Sequence, residues 1–101
     1  MLKIRILDLD YHRLIKSEQT LLRALKYNGL YGRVMMVAEP LELSRFNVLE
    51  CMPALEINDA IVSRGRVIDD EMARWILATV AERISATRSA SEEGVSRKSI
   101  L

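Results

Sequence analysis

The hydrophobic pattern of the first third of the chain predicts a strand, a helix and a second strand. Apolar and basic residues alternate over residues 2–7, which is typical of a strand. From about 12 to 27, leucines recur at spacings of three, four and seven and therefore share one helix face. A nearly continuous apolar run over residues 33–37 predicts a strand covered on both faces. The leucines are Leu14, Leu21, Leu22 and Leu25, and Asn28-Gly29 is expected to close their helix.

The middle of the chain predicts a short helix followed by a hairpin. Pro40 suits the first turn of a helix over residues 41–46. Residues 53–65 comprise a proline, a short strand, a turn at Asn58-Asp59 and a second strand that ends at glycine.

A four-residue apolar repeat predicts the last helix, with Asp69 as its N-cap. The repeat is formed by Met72, Ile76, Val80 and Ile84, and Trp75 beside it is expected in the core. From residue 85 the composition shifts to Ser, Arg, Glu and Gly. We therefore predict one domain over residues 1–84 and a polar C-terminal tail over 85–101, flexible or extending the helix.

The predicted order of elements is βαβαββα. A strand–helix–strand opening implies a right-handed parallel crossover, and the closing pair forms an antiparallel hairpin. The fold class is therefore α/β, with a four-stranded mixed sheet between helices in three layers.

This order and the hairpin sequence resemble the thioredoxin-like superfamily, in particular small bacterial and archaeal thioredoxins of about glutaredoxin size. The similarity covers roughly residues 2–80. The segments that carry it are Met52-Pro53-Ala54-Leu55 and Ser63-Arg64-Gly65-Arg66-Val67.

The first helix departs from that family where its chemistry resides. Family members carry C-P-x-C there, with a thiolate stabilised by the helix N-terminus. Here the four positions are Tyr11-His12-Arg13-Leu14, so disulfide exchange by the usual dithiol mechanism is not expected. Asp8 before the helix replaces an expected small residue, as does Asp10, which indicates a reshaped loop.

The resemblance implies a cis peptide bond at Pro53 and a groove that pairs with an extended peptide through the residue before it. That residue is Met52, whose side chain adapts readily to a contact surface. The predicted partner-binding residues are therefore Tyr11, His12, Arg13, Met52 and Pro53. The alternative is that the cis bond serves only the turn.

Cys51 is the only thiol and the only candidate for catalysis. Proximity to His12 and Arg13 would activate it for a single-thiol redox enzyme or sensor, whereas a buried cysteine is inert. Together with Lys16, the same two residues would form a small anion site, or simply a solvated helix start.

Metal binding is not predicted. Asp8, Asp10 and His12, with Asp69 and Asp70, are possible ligands, but their spacing fixes no coordination geometry, and acidic residues are common at turns and caps. No cofactor is expected.

Composition narrows the class of protein further. Half of the residues are hydrophobic and 29% are charged, as in a folded domain, and the net charge of +1 argues against nucleic-acid binding. No apolar run is long enough for a bilayer, and the N-terminus does not resemble a signal peptide, so a cytoplasmic location is expected.

Two basic residues on the first strand need partners if both sheet faces are covered. Lys3 and Arg5 are expected to pair with Glu39, Glu42 or Glu56. If one face is instead incompletely covered, a homodimer or larger assembly is favoured.

The sequence thus predicts a redox-inactive thioredoxin-like protein, not an enzyme. It would bind a protein or peptide through the loop at residues 8–13 and the turn at residues 51–53. The alternatives are a single-thiol enzyme or sensor and a structural subunit of an assembly.

Overall fold

A computed structural model describes residues 1–84, so the predicted tail at 85–101 lies outside the described residues. The predicted order of elements is confirmed, with boundaries shifted by one or two residues. The elements are β1 (Leu2–Leu7), α1 (Tyr11–Tyr27), β2 (Gly32–Val37), α2 (Pro40–Arg45), β3 (Ala54–Ile57), β4 (Ala60–Arg64) and α3 (residues 70–84). Over the described range, no helix is both long and apolar enough to cross a membrane.

The four strands form one mixed sheet in the order β2-β1-β3-β4. β1 pairs with β2 in parallel, from Leu2 opposite Gly32 to Leu7 opposite Val37. β3 runs antiparallel to β1, and β4 runs antiparallel to β3 with a shift in register. The helical connection between β1 and β2 is what allows these two strands to run parallel.

The sheet carries a separate hydrophobic cluster on each face. The larger cluster joins alternate residues of β1 and β3 to α1 and α3, and the smaller one lies under α2. The fold is therefore α/β in three layers, with two helices on one face and a helix of only six residues on the other. The buried residues of the smaller cluster are Leu7, Leu43, Val48 and Ala54.

Two apolar residues predicted to be buried are exposed. Leu14, Leu21 and Leu25 lie in the core, but Leu22 is 48% exposed, because α1 turns its side chain towards the margin beside β2. Trp75 is 68% exposed, since α3 buries Ala73, Ile76 and Leu77 instead. In both helices, the apolar face predicted to be buried is wider than the face that the structure buries.

Turns and caps follow the predicted chemistry. Asn58 and Asp59 both adopt positive φ, at 48° and 70°, as a two-residue hairpin turn requires. At the end of α1 only Gly29 is left-handed, at φ 63°. Asp69 caps α3, where its carboxylate accepts a hydrogen bond of 2.8 Å from the Met72 backbone.

The basic residues of β1 have partners within the sheet. Arg5 lies directly opposite Glu56 and donates two hydrogen bonds to its carboxylate, of 2.7 and 3.0 Å. Glu56 is fully buried, and the Arg5 guanidinium also lies 5.0 Å from the centre of the Phe46 ring. Lys3 pairs instead with Asp59 at 3.6 Å at the surface. A glutamate partner was expected for both Lys3 and Arg5, and it is confirmed only for Arg5.

We expect Arg5→Met to destabilise the fold by about 3 kcal/mol, because it leaves the buried Glu56 carboxylate without its cation. Lys3→Met, the matched control on the same strand, should cost less than about 1 kcal/mol, since both partners of that pair are exposed. Urea denaturation followed by circular dichroism measures both. Equal losses would contradict the assignment of the buried pair.

Candidate functional site

The candidate site lies where β1 ends and β3 begins. Leu7 and Ala54 are opposite each other in the antiparallel pair, so the chain leaving β1 and the chain entering β3 meet at one end of the sheet. The predicted loop at residues 8–13 and the predicted turn at residues 51–53 both lie at that end. The Met52–Pro53 peptide bond is cis, which confirms the expected geometry there.

Asp8 organises the loop between β1 and α1. Its backbone N–H donates to the carbonyl of Val37 at 3.1 Å, which continues the pairing with β2. Its carboxylate is fully buried and accepts hydrogen bonds from the backbone N–H groups of Leu9 (2.8 Å) and Asp10 (3.2 Å). The Nε and Nη2 groups of Arg13 also donate hydrogen bonds to the Asp8 carboxylate, and the one from Nη2 is 2.6 Å long.

The ion pair between Asp8 and Arg13 favours the charged forms of both groups. Burial raises the pKa of Asp8, but hydrogen bonds from Arg13, Asp10 and Leu9, with the charge of Arg13, more than offset it, so its pKa lies below the ordinary value. In return, the hydrogen bond to Asp8 raises the pKa of the Arg13 guanidinium. The carboxylate is therefore ionised at neutral pH.

The start of α1 is already occupied by the chain's own carboxylates. Asp10 is the N-cap and accepts a hydrogen bond of 3.1 Å from the Arg13 backbone. Because the Arg13 side chain is engaged with Asp8, the anion site proposed from Arg13, His12 and Lys16 loses its central cation. The arrangement is that of a structural loop.

The predicted partner-binding residues differ in their exposure to solvent: the three on α1 are exposed, and the two before β3 are more buried. Tyr11 is 65% exposed at the first position of α1, next to an exposed His12. Met52 is half-buried against the smaller cluster, and Pro53 is buried. Within the described residues, neither the N–H nor the carbonyl of Met52 forms a backbone hydrogen bond.

The neighbours of Met52 are held by the hairpin. The N–H of Gly65 donates to the carbonyls of Cys51 (2.7 Å) and Pro53 (3.0 Å), which fixes the chain on both sides of Met52. The free backbone groups of Met52 therefore stand between two fixed points rather than in a loose loop.

Cys51 packs like a small hydrophobic residue. Its side chain is partly buried against the smaller cluster, and its Sγ lies 3.7 Å from the carbonyl oxygen of Asn47. Of the two cations considered as activators of this thiol, Arg13 is already paired with Asp8.

The acidic residues considered as metal ligands have other roles. Asp8 binds Arg13, Asp10 and Asp69 are helix caps, and Asp70 pairs with Arg23 at 3.1 Å. Across residues 1–84, no three His, Cys, Asp or Glu residues group in a way that could hold a metal ion.

Sequence reasoning identified the loop but missed the ion pair within it. The signal available was the order Asp8, Asp10, Arg13: one acidic residue before the N-cap, one at the cap, and arginine in the first turn.

In comparisons with protein-family models and with curated proteins, nothing matches the chain.

We expect Asp8→Asn to lower the free energy of unfolding at neutral pH by about 1–3 kcal/mol, because the Arg13 guanidinium loses its charged acceptor. The pKa of Asp8 is lower in the folded than in the unfolded chain. Its contribution is therefore present above about pH 4 and is lost as the pH falls further.

The variant should accordingly lose less stability than the wild type on acidification below about pH 4. Urea denaturation across acidic pH measures this. Asp70→Asn, which removes a surface partner of Arg23, is the matched control and should leave the acid profile unchanged. Parallel acid profiles for Asp8→Asn and the wild type would refute the role of Asp8.

We expect the Cys51 thiol to react with iodoacetamide more slowly in the native protein than in urea, because its side chain is partly buried against apolar residues. Mass spectrometry at a series of times gives both rates. A faster reaction in the native protein would favour the single-thiol enzyme.

Proposed function

We propose that this chain is a thioredoxin-like domain without thiol redox chemistry, which binds an extended segment of a protein or peptide partner. The strand order, the parallel β1–β2 crossover and the position of Pro53 support the kinship. Residues 11–14, where the family carries its two cysteines, contain none.

The observation that carries the proposal is the unpaired backbone of Met52, a half-buried residue at the end of the sheet where β3 begins. An extended peptide gains affinity by hydrogen-bonding to unpaired backbone groups, and specificity from side-chain contacts on either side. Met52 offers one N–H and one carbonyl that no backbone group of the described residues uses. Gly65 holds the flanking carbonyls, so little ordering is required on binding.

Side chains around this position suit an apolar or aromatic residue of the partner. Tyr11 presents an exposed ring with a polar hydroxyl, a type of residue often found at the centre of interfaces. The thioether of Met52 adapts its shape to a contact. Because Arg13 is neutralised by Asp8, the surface next to these side chains does not require a strongly charged ligand.

In the proposed function, the start of α1 carries an ion pair where the family carries its cysteines. The ion pair between Asp8 and Arg13 lies beside the start of α1, and Tyr11 is the first residue of this helix. In the proposed function, the loop presents the Tyr11 ring for binding at the position where redox members of the family present a reactive thiolate.

We expect peptides selected from a random library on the wild-type protein to bind at least tenfold more weakly to a Tyr11→Ala, Met52→Ala double variant, because both anchors are lost. Calorimetry or fluorescence polarisation with labelled peptides measures the affinity. Tyr31→Ala is the matched control, since Tyr31 is 87% exposed and precedes β2 at the opposite end of the sheet.

Nuclear magnetic resonance adds an independent readout. The amide of Met52 should show one of the largest shifts on peptide addition. Unchanged affinity in the double variant, or shifts confined to another surface, would defeat the proposal.

A further inference from the structure

The two edges of the sheet differ in their protection against pairing with another strand. β4 is irregular, with a register shift against β3 between Leu55 and Glu56. β2, on the other edge, pairs with β1 in unbroken register and contains neither proline nor a bulge. Natural sheets commonly block exposed edges by such devices, so an unblocked edge marks a pairing surface.

The backbone of β2 presents alternate residues outward. The N–H groups of Leu2 and Asp8 donate to the carbonyls of Tyr31 and Val37, which assigns the odd-numbered residues of β2 to the ladder with β1. The N–H and carbonyl groups of Val34, Met36 and Ala38 therefore point away from β1.

The side chains along this edge are apolar in the middle and charged at the ends. Met36 is 37% exposed, and its neighbours Met35 and Val37 are half-buried. Arg33 precedes them and Glu39 follows them, both exposed. Neither of these two residues forms an ion pair with another of the residues 1–84.

We propose that β2 pairs antiparallel with β2 of a second copy of the chain, about a two-fold axis at Met36. In this register, Arg33 of each copy lies opposite Glu39 of the other, and Met35 lies opposite Val37. The four-stranded sheets would join into one continuous sheet of eight strands. This inference is independent of the peptide site, which lies at the end of the sheet where β1 ends and β3 begins.

Backbone geometry and charge together select the register. Only registers that pair outward-facing residues with one another can form the hydrogen bonds. Moving the axis to Met35 or Val34 keeps those bonds but places Arg33 opposite Val37 or Met35. The axis at Met36 alone converts both exposed charges into cross-strand ion pairs, and the symmetry of a two-fold interface forms each pair twice.

Exposed apolar side chains border the same edge. Leu22 and Tyr31 line a depression beside Gly32, the first residue of β2. A two-fold axis perpendicular to the sheet places α1 of both copies on the same side, where Leu22 lies at the margin.

The test uses charge reversal in the full-length protein, with mass measured by analytical ultracentrifugation over a range of concentrations. The wild type should move from 11.5 kDa towards twice that mass as its concentration rises. Arg33→Glu and Glu39→Arg should each weaken the dimer by roughly tenfold or more, because like charges then face each other twice. Arg66→Glu, the same change at an exposed site on another part of the surface, should have no effect.

Two rescue experiments make the register specific. The Arg33→Glu, Glu39→Arg double variant should dimerise as the wild type does, and an equal mixture of the two single variants should form a heterodimer. Met36→Pro removes an outward N–H that β1 does not use, so it should give a folded monomer. A wild type that stays monomeric, or a dimer indifferent to these changes, would overturn the proposal.

Discussion

The buried carboxylate of Asp8 is the constraint on which the candidate site depends. A buried ionised group is tolerated only if it is paired and fully hydrogen-bonded, and Asp8 meets this with Arg13 and two backbone N–H groups. Through its own N–H it also extends the pairing of β1 with β2. One residue thus fixes the end of a strand, the shape of the loop and the start of α1.

A second buried ion pair explains how a basic strand occupies the middle of the sheet. Glu56 lies on the central strand β3 and is fully buried, but its carboxylate meets the guanidinium of Arg5 on the neighbouring strand. The pair lies on the face that the short helix α2 covers, next to Phe46. The opposite face, covered by α1 and α3, is apolar. The charges are therefore confined to the more thinly covered layer.

Most of the architecture could be predicted because each element carries its own local signal. The alternation in β1, the Asn58-Asp59 turn and the Asp69 cap are set by interactions within a few residues, so the sequence pattern contains them. Leu22 was misassigned because periodicity gives the direction of an apolar face, whereas its width depends on which elements cover it. The bond between Asp8 and Arg13 joins a loop to a helix and falls outside helical spacing rules. The thioredoxin-like kinship stays a prediction of the sequence, and the structure shows an α/β fold with a four-stranded mixed sheet.

The position of Trp75 has a practical consequence for spectroscopy. It is the only tryptophan of the chain, and its indole is largely in contact with water in the folded protein. Unfolding therefore changes its surroundings little, and its emission should shift only slightly towards the red. Intrinsic fluorescence would make this domain look insensitive to denaturant, even while its sheet and buried ion pairs come apart.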